Sequence, residues 1–105
     1  MNKIIKIALG ATLLLSLSAT TATADVKKGQ KLYIKKLKAS CQMSGAVMAG
    51  KHSQDEWTEI YEAGELESEL KTICPKLGDV KDKYLPHFYD FFNEYASDSG
   101  NVPSC

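Results

Sequence analysis

The feature that most constrains the fold of this chain is a stripe of aromatic side chains near its C-terminus. Their spacing follows the 3.6-residue period of an α-helix. The stripe consists of Tyr84, Phe88, Phe91, Phe92 and Tyr95. Pro86 is compatible with such a helix, because the missing N–H of a proline does no harm in the first turn. We therefore predict a final helix whose aromatic face lies in the core.

The N-terminus has the order of segments that is typical of an export signal. Two lysines come first, residues 7–19 carry no charge, and the small residues 22–24 precede Asp25. The apolar stretch has about 13 residues, fewer than the ~20 that a membrane span needs. We predict a cleaved signal over residues 1–24, a mature form without a membrane span, and a bacterial periplasmic location.

The composition limits what the mature chain can do. Removal of 24 from the 105 residues leaves 81, enough for one small domain. The chain has no arginine, the residue best suited to binding phosphate groups through a planar fork. We predict a single helical domain over residues 25–105 with a polar C-terminal tail, and no binding of nucleic acid. No hydrolytic constellation accompanies the two histidines, so we predict no enzymatic activity. A thiol-redox activity stays open, although no Cys-x-x-Cys motif supports it.

Capping signals place the remaining helices. Asp25 can cap a first helix over residues 26–39, and a capping box at Ser53 opens a later helix that Gly64 ends. A further apolar stripe follows and stops at Pro75. The chain shows no alternation typical of strands. We therefore predict an all-α fold of four or five short helices.

The first helix is rich in lysine. The predicted docking face consists of Lys27, Lys28, Lys31, Lys35 and Lys38. The ordinary interpretation is a solvated surface, and the functional one is a docking face for an acidic protein. Residues 55–69 hold seven acidic residues and no basic one. These two regions either attract each other or face different ways.

Soft metal donors cluster between the first helix and the capping box. Cys41, Met43, Met48 and His52 lie within twelve residues. Thiolate, thioether and imidazole together favour copper(I). The alternative is that the two methionines fill a small core and that His52 is exposed.

Three cysteines allow one disulfide, with three pairings. Cys74 lies on an apolar stripe and is expected to be a buried thiol, whereas Cys41 is expected in a loop. A C-terminal tail frays unless it is tied down. We therefore favour a disulfide between Cys41 and Cys105.

Gly29, Leu32 and Tyr33 of the first helix have a spacing that resembles class I cytochromes c. In that family the helix reads Gly, two residues, Leu, an aromatic residue, and then, after three residues, the haem motif Cys-x-x-Cys-His. Gly29, Leu32 and Tyr33 occupy the first of these positions. The resemblance implies that the first and last helices cross orthogonally at Gly29. It also implies docking to a periplasmic redox partner.

The haem motif itself is missing. Leu37 and Ser40 stand where the two haem-attaching cysteines belong, and Cys41 stands in place of the histidine. The chain thus looks like a cytochrome c-like protein without covalent haem, and we interpret it as a periplasmic docking module. The alternatives are a copper-binding protein and an electron carrier with non-covalent haem on Cys41 or His87.

Overall fold

The computed structural model describes residues 25–105, so the predicted export signal lies outside the described residues. This part of the chain forms five α-helices and no strand, which confirms the predicted all-α fold. Helix α1 has three consecutive segments, the α-helical Val26–Leu32, the π-helical Tyr33–Leu37 and the α-helical Lys38–Cys41. The other helices are α2 (Gly45–Ala49), α3 (Gln54–Glu62), α4 (Leu66–Ile73) and α5 (Leu85–Glu94), with a 3₁₀ turn at Asp82–Tyr84.

Helix α5 is the centre of the core, because it packs against each of the other four helices. Its side chains Phe88, Phe91 and Phe92 are completely buried. Tyr84 and Tyr95, at the two ends of the predicted stripe, are half-buried and pack against this core. The predicted aromatic core helix is therefore confirmed.

The π-helical segment keeps one side of α1 facing the core. The buried residues Gly29, Tyr33, Leu37 and Cys41 are spaced four apart. In a regular helix of 3.6 residues per turn, each such step would rotate the side chain about 40° away from the previous one. The wider turn at Tyr33–Leu37 absorbs part of this rotation. It therefore carries the buried side as far as Cys41, two residues beyond the predicted helix end.

Helices α1 and α5 meet at Gly29, as predicted. An ideal Cβ at this position would lie 2.9 Å from Phe91 Cβ and would overlap the carbonyl oxygen of His87. Only a residue without a side chain permits this approach. The close contact therefore explains why a glycine lies inside this helix, although glycine costs up to about 1 kcal/mol of helix stability relative to alanine.

Replacement of Gly29 by alanine is expected to destabilise the protein by about 1–3 kcal/mol, despite the better helix propensity of alanine, because the new methyl group pushes α5 away. Urea unfolding followed by circular dichroism measures this change. Gly78→Ala is the matched control, since a Cβ there meets nothing within 4 Å. Equal stability of the two variants would contradict the close crossing.

The predicted starts of α1 and α3 and the predicted end of α3 are confirmed. Asp25 accepts hydrogen bonds from the amides of Lys27 and Lys28, at 2.9 and 3.2 Å. Ser53 and Glu56 form the reciprocal capping box that opens α3. After α3, Gly64 adopts a φ of 74°, the left-handed conformation that favours glycine.

The polar C-terminal tail packs onto the helices. Pro103 is buried, and the Gln30 side chain donates a hydrogen bond of 3.2 Å to the Ser104 hydroxyl. Cys105 Sγ lies so close to Gly45 that an ideal Cβ there would be 2.6 Å from the sulfur. Hydrogen bonds and packing hold the tail against α1 and α2.

Candidate functional site

The disulfide joins Cys41 to Cys74, and Cys105 is a free thiol. The predicted pairing of Cys41 with Cys105 is therefore wrong. The prediction failed because α1 is longer than expected. The helix continues to Cys41, which places this residue on the buried side of α1 instead of in a loop. There it faces Cys74 at the end of α4, with 5.0 Å between the two Cα atoms.

This disulfide also removes the thiolate from the predicted copper ligands. Met48 is completely buried in the core, and Met43 is half-buried beside the same core. These positions agree with the alternative interpretation, in which the two methionines fill a small core. A copper(I) site on Cys41, Met43, Met48 and His52 would need a free Cys41 sulfur. That sulfur is bonded covalently to Cys74. The prediction that Cys41 is a copper ligand is therefore wrong.

His52 is occupied by carboxylates and an aromatic ring. Its Nε2 lies 2.7 Å from Glu69 Oε2, and its Nδ1 lies 3.4 Å from Glu56 Oε1. The ring packs edge-on against Trp57, with 4.7 Å between the ring centroids. The backbone amide of Ser53, and then His52, lower the pKa of Glu56. His52 therefore connects the start of α3 to α4. The alternative interpretation expected an exposed His52, but the side chain is half-buried.

The positions of the missing haem motif do not fit a covalent haem. Leu37 is 1% exposed and fills the core, and Ser40 offers a hydroxyl instead of a thiol. Of the two residues considered for a non-covalent haem, Cys41 is oxidised in the disulfide. His87 has a buried Nδ1 that finds no hydrogen-bond partner among residues 25–105, while its carbonyl oxygen faces Gly29 at the crossing of α1 and α5.

The predicted docking face is exposed along α1. All five of its lysines, Lys27, Lys28, Lys31, Lys35 and Lys38, are solvent-exposed. Within residues 25–105, none of them forms an ion pair. Ile34 lies among them with 44% of its surface exposed, and Lys31 and Lys38 are one helical turn away on either side. We call these five lysines together with Ile34 the basic face.

The acidic residues of the segment 55–69 do not pair with the basic face. Three of them pair elsewhere, Glu56 and Glu69 with His52 and Glu67 with Lys71. The others, at positions 55, 59, 62 and 65, are exposed. No ion pair in the described part of the chain joins the two regions. The charges of the basic face are thus available to another molecule.

Tyr33 anchors α1 to the chain that follows it. Its ring is completely buried, and its hydroxyl donates a hydrogen bond of 2.8 Å to the carbonyl oxygen of Met43. Burial, followed by negative charge on Cys105, raises the pKa of Tyr33 to about 12. The folded protein therefore favours the neutral phenol.

The raised pKa of Tyr33 predicts a loss of stability at high pH. A raised pKa stabilises the fold below the unfolded pKa of about 10, and this contribution disappears as the pH rises to about 12. The unfolding free energy of the wild type should fall over this range by on the order of 2 kcal/mol relative to Tyr33→Phe. Urea unfolding of both proteins at pH 9 and pH 11.5 measures the difference. A difference that stays constant with pH would contradict the prediction.

The structure forms a cleft that the sequence does not predict. It lies between the C-terminal half of α1 and the segment 77–81, and has a volume of about 180 Å³. Leu37, Ser40 and Tyr84 are among the residues that line it. At ~30 Å³ per water molecule, this space holds about six waters, which is far too small for a porphyrin. The sequence gives one hint of this cleft, which is that Lys81 and Lys83 are close to Tyr84. It does not indicate that these residues lie next to α1.

Between residues 25 and 105, no helix combines the length and the apolar character that crossing a membrane requires. The same residues contain no group of three or more His, Cys, Asp or Glu side chains arranged to hold a metal ion. Comparisons of the chain with protein-family models, curated proteins and solved structures give no match.

Proposed function

We propose that this chain is an exported, cytochrome c-like docking module that binds an acidic periplasmic protein through the basic face of α1. The observation that carries the proposal is the exposed Ile34 among lysines that have no carboxylate partner within residues 25–105. Interfaces commonly combine an apolar centre with a polar rim. Complementary charge on a partner would speed association and select the partner.

The packing of α1 against α5 at Gly29 supports the architecture in this proposal. That contact is the one the cytochrome c resemblance implied. In this interpretation the domain has kept a helical frame and a lysine-rich surface, while Leu37 fills the position of a haem-attaching cysteine. The partner is accordingly a redox protein with an acidic surface.

Photo-crosslinking tests the proposal in the exporting cell. A photoreactive amino acid in place of Ile34 should give one discrete crosslinked product, whose partner is identified by mass spectrometry and has an acidic surface. The same amino acid in place of Glu62, which is exposed on α3, is the positional control. Absence of a product specific to position 34 would overturn the proposal.

A matched pair of charge variants tests the role of the lysines. Lys31→Gln with Lys38→Gln removes two charges beside Ile34, whereas Lys51→Gln with Lys76→Gln removes two exposed charges elsewhere. The first pair should reduce the crosslinking yield several-fold, and raised salt should do the same, because exposed charges are screened over about 8 Å at physiological ionic strength. The second pair should leave the yield unchanged. Equal effects of the two pairs would mean that only net charge matters, which would contradict a specific face.

A further inference from the structure

We propose that the cleft between α1 and the segment 77–81 binds a small organic anion, specifically an aromatic monocarboxylate of the size of benzoate. This site is separate from the basic face, and the inference goes beyond the proposed function. It depends on the charges at the rim of the cleft, on the aromatic ring among its lining residues, and on the apolar character of its floor.

The rim of the cleft carries uncompensated positive charge. Lys36 approaches from α1 and Lys81 from the opposite side. Neither lysine forms an ion pair with any residue between 25 and 105. The one carboxylate at the rim, that of Asp79, is 98% exposed and bonded to Lys71 Nζ at 2.9 Å. A carboxylate that enters the cleft would therefore meet two ammonium groups and no free acid.

One of the residues that line the cleft is aromatic. Tyr84 is half-buried, and two lysines approach its face, with Lys36 Nζ at 5.9 Å and Lys83 Nζ at 5.5 Å from the ring centroid. These distances are within the range of cation–π contacts. A flat ligand could lie beside this ring while its carboxylate stays near the lysines.

The floor of the cleft is apolar. Leu37 is 1% exposed and Val80 is 9% exposed, and Leu77 packs beside them. Ser40 adds one hydroxyl that can donate a hydrogen bond to an anion. Binding pockets for small molecules commonly combine apolar walls with a few polar groups that fix the orientation of the ligand.

The size of the cleft limits the ligand. A volume of about 180 Å³ holds about six water molecules, which corresponds to a ligand of roughly six to ten non-hydrogen atoms. Benzoate has nine such atoms, one carboxylate and one ring. For a ligand of this size on a partly open site, we expect a dissociation constant on the order of 1 mM.

Titration of ¹⁵N-labelled protein with benzoate, followed by NMR, tests the proposal. The amide signals of Ser40, Gly78 and Tyr84 should shift with a common dissociation constant. Benzyl alcohol has the same ring without the charge and should bind about tenfold more weakly, and acetate has the charge without the ring and should also bind more weakly. Shifts that map to another surface, or the absence of saturable shifts up to ~10 mM benzoate, would overturn the proposal.

Variants separate this site from the basic face. Lys36→Gln and Lys81→Gln should each weaken benzoate binding about five- to tenfold, since a hydrogen bond to a charged group contributes enough free energy for a change of that size. Lys27→Gln changes the net charge equally but lies on the basic face, so it should leave the dissociation constant unchanged. Equal weakening by all three variants would show unspecific attraction and would contradict the site. Benzoate binding at the cleft and crosslinking at Ile34 are separate measurements, so either proposal can fail alone.

Discussion

Replacement of Phe92 by alanine is expected to destabilise the protein by about 3–5 kcal/mol. Phe92 is completely buried on α5. Its ring contacts four other aromatic rings, with the nearest centroid, that of Trp57, at 4.7 Å. The others are Tyr33, Phe88 and Phe91, at 6.2, 6.2 and 5.7 Å. Alanine would leave a cavity where α1, α3 and α5 meet, which such a close-packed cluster cannot easily fill.

Urea unfolding measured by circular dichroism tests this prediction. Small domains have unfolding free energies of about 5–15 kcal/mol, so Phe92→Ala would remove a large part of the stability. Phe92→Leu keeps most of the volume and should cost less than the alanine variant, giving a second measurement if Phe92→Ala does not fold. Val102→Ala, at an exposed site, should change stability by less than ~0.5 kcal/mol. A Phe92→Ala protein as stable as the Val102→Ala protein would show that Phe92 is not in the core.

Local patterns allowed much of this fold to be predicted. The aromatic stripe of α5 needs only helical periodicity, and the cap at Asp25 and the capping box at Ser53 need only residues three apart. Gly29 marked the crossing of α1 and α5 because a glycine inside an apolar stripe calls for a close contact. Each of these signals is contained within about one or two helical turns.

The errors come from residues whose roles depend on distant segments. Cys41 was expected in a loop, because the first helix was predicted to end at residue 39. The π-helical segment and the turn after it carry the buried side of α1 on to Cys41 instead. The predicted copper ligands are close in sequence, but Cys41 pairs with Cys74, Met48 enters the core, and His52 binds Glu69. Closeness in sequence therefore did not imply a shared site.

The cleft could not be predicted for a similar reason. Lys36 lies on α1, and Lys81 lies beyond α4, 45 residues later in the chain. The two lysines come together because the segment 77–81 lies next to α1. The Cys41–Cys74 disulfide holds the end of α4, just before this segment, at the end of α1. The exposure of the lysines on the basic face, by contrast, follows from the amphipathic pattern of α1 alone.

Removal of the Cys41–Cys74 disulfide is expected to cost about 4 kcal/mol. The two residues are separated by 33 positions, and closing a loop of this length restricts the unfolded chain by that amount in the chain-entropy model. For a domain of this size, such a loss is comparable to that from Phe92→Ala. The variant to compare with the wild type is Cys41→Ala with Cys74→Ala, unfolded in urea with and without a reducing agent.

The reducing agent provides the decisive comparison. It should lower the urea midpoint of the wild type to near that of the double variant, and it should have no effect on the double variant itself. Cys105→Ser should keep the full response to reduction, because Cys105 is a free thiol. Alkylation without reduction should accordingly label Cys105 alone. Loss of the reduction response in Cys105→Ser, or label on Cys41 or Cys74 in the oxidised protein, would contradict this pairing, since either result would place Cys105 in the bond.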